Sequence, residues 1–121
     1  MKECIFIFLG GGIGSVMRYL VQLLINSRGN WAFPWPTWVA NIAGCFLIGL
    51  FYAWSARFHW STEMRLMLTT GLCGGFTTFS TFSNESINLL KTGNYSMMGI
   101  YLAVSIIVGL LAVYAGSKIG S

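Results

Sequence analysis

The chain has 121 residues, of which 55% are hydrophobic, 16% aromatic and only 8% charged. Soluble globular domains carry about 25% charged residues, so this chain cannot cover a water-facing surface, which excludes an ordinary cytosolic enzyme and a disordered tail. Seven basic against three acidic residues give a net charge of +4, but Lys2, Arg18, Arg28, Arg57, Arg65, Lys91 and Lys118 stand singly, without the clustering that nucleic-acid binding requires.

The composition is that of an integral membrane protein with one domain over residues 1–121. A helix crossing the hydrocarbon core needs roughly 20 mostly apolar residues. The first predicted span runs from Cys4 to Ile25, interrupted only by Arg18 and a glycine cluster. Lys2 ahead of it suits a signal peptide, but no small-residue cleavage site followed by a soluble mature domain appears, and the segment reads as a true span. Gly10-Gly11-Gly12-Ile13-Gly14 superficially resembles a dinucleotide loop. No strand–helix alternation accompanies it, nor a suitable acidic residue about 20 positions on. Close helix packing through small residues is the better reading. Arg18 lies one turn beyond Gly14, and two roles are open to it: snorkelling toward an interface or lining an aqueous vestibule.

A polar turn, Asn26-Ser27-Arg28-Gly29-Asn30, leads into the aromatic and proline run Trp31 to Trp38. The second predicted span covers Thr37 to Trp54 and carries one isolated amide, Asn41. An interhelical hydrogen bond explains such a residue at about 1 kcal/mol, and the functional alternative is an N–H presented to an anion. Trp31, Trp35, Trp38 and Trp54 suit the aromatic belts at membrane interfaces.

Arg57, His59, Ser61, Thr62 and Glu63 form a short polar link to the third predicted span, Met64 to Leu90. Within it, Gly71-Leu72-Cys73-Gly74-Gly75-Phe76-Thr77-Thr78-Phe79-Ser80-Thr81-Phe82-Ser83 combines paired glycines with β-branched and hydroxylated residues, which support a continuous helix poorly. A break there would free backbone carbonyls in mid-membrane, where they must find partners and commonly mark an ion site. The bland alternative is a kinked helix whose hydroxyls bond back one turn. Phe79 and Phe82, three apart, share one helical face. Glu85 is the only acid well inside a span, either a solvated vestibule residue or an ion-coupling carboxylate. Lys91-Thr92-Gly93-Asn94 closes this segment, and the fourth span runs from Tyr95 to Ile119. There Tyr101 and Ser105, one turn apart, form a short polar stripe.

Four spans put both termini on one side, with Lys2, Arg57, Arg65 and Lys118 there and Arg28 and Lys91 opposite. So small a bias favours cytoplasmic termini only weakly. It permits insertion in both orientations, and with that an antiparallel homodimer. Cys4, Cys45 and Cys73 lack the spacing of a disulfide framework or a zinc site and read as small apolar packing residues.

Three stretches carry a family resemblance. Gly10-Gly11-xx-Gly14-xxx-Arg18-Tyr19, Thr37-xxx-Asn41-xx-Gly44-x-Phe46 and the run Gly71 to Ser83 ahead of Glu85 resemble the Fluc/CrcB family of fluoride channels, with the same length and four-span layout. Ala40, where the family often has Val, is a small apolar departure. The resemblance implies an all-α membrane protein with four transmembrane helices, the third broken in mid-membrane, assembled as a dual-topology antiparallel homodimer with two fluoride pores. It implies pore roles for Asn41, Phe79, Phe82, Ser80, Thr81, Tyr101 and Ser105, and matches Arg18 to the family's first-helix arginine. It also implies a structural sodium ion held at the dimer interface by the backbone carbonyls of Gly74 and Thr77. The implied setting is the inner or plasma membrane, where cytoplasmic fluoride, accumulated as HF at low external pH, would leave passively; no ATP-binding loop accompanies the motifs.

The chemistry supports such a pore. Fluoride is small and strongly hydrated, so amide and hydroxyl donors must replace its water. The electropositive rims of aromatic rings line an anion path without a fixed cation that would trap the ion. Two other classes compete. A small multidrug-type proton-coupled cation exporter needs a buried carboxylate, for which Glu85 is the sole candidate; a non-transporting membrane subunit would use its polar residues only to join helices. Catalysis is not expected, since His59, the only histidine, has no nucleophile or metal cluster near it in sequence.

Overall fold

Long apolar stretches punctuated by proline, glycine and asparagine dictate long helices with sharp ends. The computed structural model describes all 121 residues, Met1–Ser121, as helices and short connections without a strand. Helix α1 covers Lys2–Asn26, α2 Trp35–Arg57, α3 Thr62–Leu66, α4 Gly74–Phe76, α5 Phe79–Lys91 and α6 Tyr95–Gly120, with a π-helical segment Met67–Cys73 joining α3 to α4. Three of these, α1, α2 and α6, are long and apolar enough to cross a membrane. The segment expected as a third span, residues 64–90, is divided among shorter helical pieces.

Local chemistry sets the ends. The Trp31 indole N–H donates to the Ile25 carbonyl (3.0 Å) and the Ser27 hydroxyl to that of Leu24 (2.7 Å), closing the last turn of α1. Pro34 caps α2, and Pro36 sits in its first turn, where the missing N–H has no helical acceptor to lose. At the far end of α5, Gly93 adopts φ +82°. This lets the N–H groups of Gly93 and Asn94 return to the carbonyls of Leu90 (3.2 Å) and Leu89 (2.9 Å), the paired bonds of a glycine-terminated helix.

Two seams hold the helices together, and both are built on backbone contact. A Cβ placed on Gly10 would stand 2.2 Å from the Met67 carbonyl oxygen, and one on Gly14 2.2 Å from that of Leu72. The glycine cluster therefore packs α1 directly on residues 67–76, the small-residue packing anticipated from the sequence. Likewise Gly116 of α6 lies against the Phe46 carbonyl and Gly49 of α2 against that of Val113. The outward faces stay apolar: Phe8, Ile13, Val16, Leu110 and Leu111 are all exposed. Phe51, Trp54 and Trp60 cluster with ring centroids 6.1–6.4 Å apart around the α2–α3 link.

Candidate functional site

Between α4 and α5 the helical path stops. Thr77 (φ −92°, ψ 160°) and Thr78 (φ −152°, ψ 118°) are extended, so amides that would continue the helix need other acceptors. Asn41 of α2 meets this need: its Oδ1 accepts the Thr78 N–H at 2.7 Å, and its Nδ2 donates to the Thr78 carbonyl at 3.1 Å. The Thr78 hydroxyl oxygen accepts the Thr81 N–H at 3.2 Å and so caps α5, as threonine commonly does at a helix start. On the other side of the break, Arg18 reaches from α1 and donates Nε–H to the Gly75 carbonyl at 3.1 Å.

These substitutions leave identifiable carbonyls behind. In a continuous helix Thr78 N–H would bond Gly74 O, and Thr81 N–H would bond Thr77 O. Here those amides go to Asn41 and to the Thr78 side chain, which releases the carbonyls of Gly74 and Thr77. Space beside Gly74 is open, with nothing within 4 Å of the position of a Cβ. The Thr77 hydroxyl instead bonds back to Cys73 O at 2.9 Å.

A cavity of about 620 Å³ opens on one side of the break and is lined by Arg18, Thr78, Thr81 and Glu85 together with the amides Gln22 and Asn88. Another, of about 370 Å³, gathers Asn41, Gly74, Thr77, Phe79, Phe82 and Ser105. Thr78 lines both, so the Asn41–Thr78 pair stands between a polar space and a predominantly apolar one. Ser80 borders neither; it is exposed, its hydroxyl 3.3 Å from that of Thr78.

The aromatic side chains form a chain of contacts. The Phe79 and Phe82 rings lie 6.0 Å apart, inclined by 45°, and Phe82 meets Tyr101 at 5.0 Å. Tyr101 is fully buried, and Phe33 packs edge-on against it at 5.3 Å. Phe79, by contrast, is 80% exposed. Glu85 joins three helices: Tyr101 of α6 donates its hydroxyl to Oε1 (2.9 Å), and Thr37 of α2 donates to Oε2 (3.0 Å).

Thus the structure brings Asn41, Phe79, Phe82 and Ser105 to one cavity and Arg18, Thr81 and Glu85 to the other, while Tyr101 turns to Glu85 rather than sharing an open stripe with Ser105. Two participants escaped the sequence reading. Thr78 does so as the residue at the centre of the break, although its place three before Thr81 is a capping spacing. Thr37 does so as the second donor to Glu85, although its position four before Asn41 puts both on one face of α2.

Comparison with known proteins gives consistent matches. Residues 5–117 match the family model described as CrcB-like protein, Camphor Resistance (CrcB). The chain is 55% identical to a protein of Bacteroides fragilis named "Fluoride-specific ion channel FluC", over 99% of this chain and 97% of that protein. Proteins of the same name from Phocaeicola vulgatus and Flavobacterium psychrophilum are 54% and 47% identical, each over 96% of this chain and over 96% and 94% of their own lengths. With its apolar helices, the chain is a multi-pass protein of the cell membrane.

Proposed function

This chain belongs to the CrcB-like family, and on that premise we propose that it is a fluoride channel, carrying cytoplasmic fluoride out passively down its electrochemical gradient. The observation that carries the reading is near-full-length identity of up to 55% to proteins named as fluoride-specific ion channels. The geometry supplies chemistry suited to it. An anion entering the larger cavity meets the Arg18 charge and the Thr81 hydroxyl. These replace part of its hydration while the Arg18 Nε–H remains on Gly75 O.

At the Thr78 partition one Nδ2 hydrogen of Asn41 is committed to the Thr78 carbonyl, and the other remains to donate to an ion, since a carboxamide nitrogen carries two. Beyond it lie the rings of Phe79 and Phe82 and the Ser105 hydroxyl. The positive rims of the rings stabilise an anion weakly enough for it to leave. Glu85, the carboxylate that a proton-coupled exporter would use, is engaged by two hydroxyl donors, so the channel reading is preferred.

Two further parts belong to the same proposal. An antiparallel pair of chains, with one pore on each side, is supported by the small bias of basic residues between the two ends, four against two, and by the exposed Phe79 beside an apolar cavity. A sodium ion between the chains would be held by the carbonyls of Gly74 and Thr77. Those residues fit such an ion because the amides that would occupy both carbonyls are diverted. The ion would supply charge to join the two breaks.

The test is fluoride efflux from proteoliposomes, read with a fluoride electrode and repeated with chloride. Fast fluoride efflux that spares chloride and weakens in Phe82→Ala is expected. No efflux from folded protein, or flux only under an imposed proton gradient, overturns the reading.

A further inference from the structure

Thr78 lines both cavities, and its hydroxyl has used every bond that it can make. The oxygen accepts the Thr81 N–H at 3.2 Å and lies 3.3 Å from the Ser80 hydroxyl, while the hydrogen goes to the Thr81 hydroxyl oxygen at 3.1 Å. A hydroxyl has one hydrogen and two lone pairs. With that hydrogen given to Thr81, Ser80 must be the donor in its own contact, and Thr78 is saturated. The Thr81 hydroxyl is not: it accepts from Thr78, and its own hydrogen meets no protein acceptor. It lines the 620 Å³ cavity together with Arg18.

Helical hydroxyls commonly bond back to the carbonyl one turn earlier. Thr69, Thr77, Ser86 and Thr92 do so here, on Arg65, Cys73, Phe82 and Asn88 at 2.6–3.0 Å. For Thr81 the matching acceptor is the Thr77 carbonyl, which has lost its helical amide to the Thr78 hydroxyl, yet the Thr81 hydroxyl does not turn to it. We propose that Thr78 is a positioning residue for the ion: by donating to Thr81 Oγ1 it keeps the Thr81 hydrogen free to donate to an anion in the 620 Å³ cavity. A donor already held in place need not be reoriented when the ion arrives. Accepting a hydrogen bond also polarises the Thr81 hydroxyl into a stronger donor. Asn41 anchors the arrangement, since its two bonds fix the backbone that carries the Thr78 side chain. A role in ion passage rests on the fluoride-channel reading; anion binding at Thr81 does not.

The test titrates purified protein in detergent with sodium fluoride, follows the fluorine magnetic-resonance line width of the ion, and measures efflux from proteoliposomes made with the same preparations. Thr81→Val removes the donor and should weaken fluoride binding by about 10-fold or more, as for a hydrogen bond to a charged partner. Thr78→Val keeps the shape without the hydroxyl and should weaken binding by about 3- to 10-fold, the worth of one neutral hydrogen bond, with efflux at low fluoride falling in step. Thr78→Ser should restore both. The double variant should bind no more weakly than Thr81→Val alone, because Thr78 acts through Thr81. Thermal melting isolates the helix cap: its loss should lower the melting temperature of Thr78→Val, and of the double variant relative to Thr81→Val. Thr78→Ala stands in if the valine variant does not fold. Parental binding in folded Thr81→Val or Thr78→Val, binding losses that multiply in the double variant, or no fluoride binding by the unaltered protein overturns the proposal. If the unaltered protein binds fluoride but moves none, the channel reading fails while the titration still decides the role of Thr78.

Discussion

Replacing Asn41 by alanine tests how the break in the helix is held. The substitution removes the 2.7 Å and 3.1 Å bonds to Thr78 and leaves a backbone N–H and a backbone carbonyl without partners. Interhelical side-chain bonds in membrane proteins average only about 0.6 kcal/mol, because the separated helices find other partners. Here the stranded groups are backbone atoms fixed by the extended Thr77–Thr78 conformation, so the cost of leaving buried polar groups unsatisfied applies, about 1–3 kcal/mol each. A loss of about 2–4 kcal/mol is expected, which is roughly 30- to 1,000-fold in the folding equilibrium. Thermal unfolding in detergent, followed by circular dichroism, measures it, with fluoride efflux recorded on the same preparations. Asn41→Asp should rescue little. Its carboxylate accepts the Thr78 N–H but has no hydrogen for the Thr78 carbonyl and repels it. An Asn41→Ala protein that melts like its parent, whatever its efflux, refutes the clamp; lost efflux at parental stability would mean that the amide serves only the ion.

The glycine seam makes a paired prediction. Gly14→Ala forces α1 off the Leu72 carbonyl and should cost about 1–3 kcal/mol as overpacking, whereas Gly12→Ala, with nothing within 4 Å, should be neutral or slightly stabilising in the same melting experiment. His59 is the one non-glycine residue with positive φ, at 53°. That conformation costs roughly 1–2 kcal/mol for an ordinary side chain, against about 0.5–1 kcal/mol of backbone entropy for glycine, so His59→Gly should raise stability by about 0.5–1 kcal/mol. Tyr101→Phe keeps the ring contacts with Phe33 and Phe82 but removes one donor from Glu85; a loss of about 1 kcal/mol or more is expected, and an unchanged melt would remove the hydroxyl from the account of that tie.

Hydrophobic length was enough to reveal α1, α2 and α6, because a bilayer demands a run that few other contexts produce. The glycine cluster and the polar residues inside the apolar stretches marked places of close packing and hydrogen bonding for the same reason, since each is unfavourable in lipid without a packing or bonding purpose. What the sequence could not supply was pairing across helices. Asn41 stood out as an amide, but its exchange of two bonds with one backbone residue depends on α2 passing that residue at a particular depth. Tyr101 and Ser105 read as a stripe because they are one turn apart. Their different environments follow from Glu85, which lies on another helix and draws the tyrosine hydroxyl toward itself. Arg18 allowed two roles because a guanidinium on a flexible stem reaches either way; the carbonyl freed at Gly75 decides which way it turns.

The break itself explains why so many polar side chains converge on so short a stretch. A continuous helix through residues 73–82 would satisfy its own backbone and offer an ion nothing. Opening it at Thr77–Thr78 exposes donors and acceptors, several of which are met by side chains: Asn41 of α2 for Thr78, Arg18 of α1 for Gly75, and the hydroxyl of Thr78 itself for Thr81. The carbonyls of Gly74 and Thr77 have no such side-chain partner, and these residues line the cavity where Phe79 is left uncovered. Burying that face against lipid alone would strand two carbonyls in a medium with no donor. The proposed second copy of the chain, with the proposed cation between the two breaks, would remove the difficulty in a single step and would cover Phe79 as well.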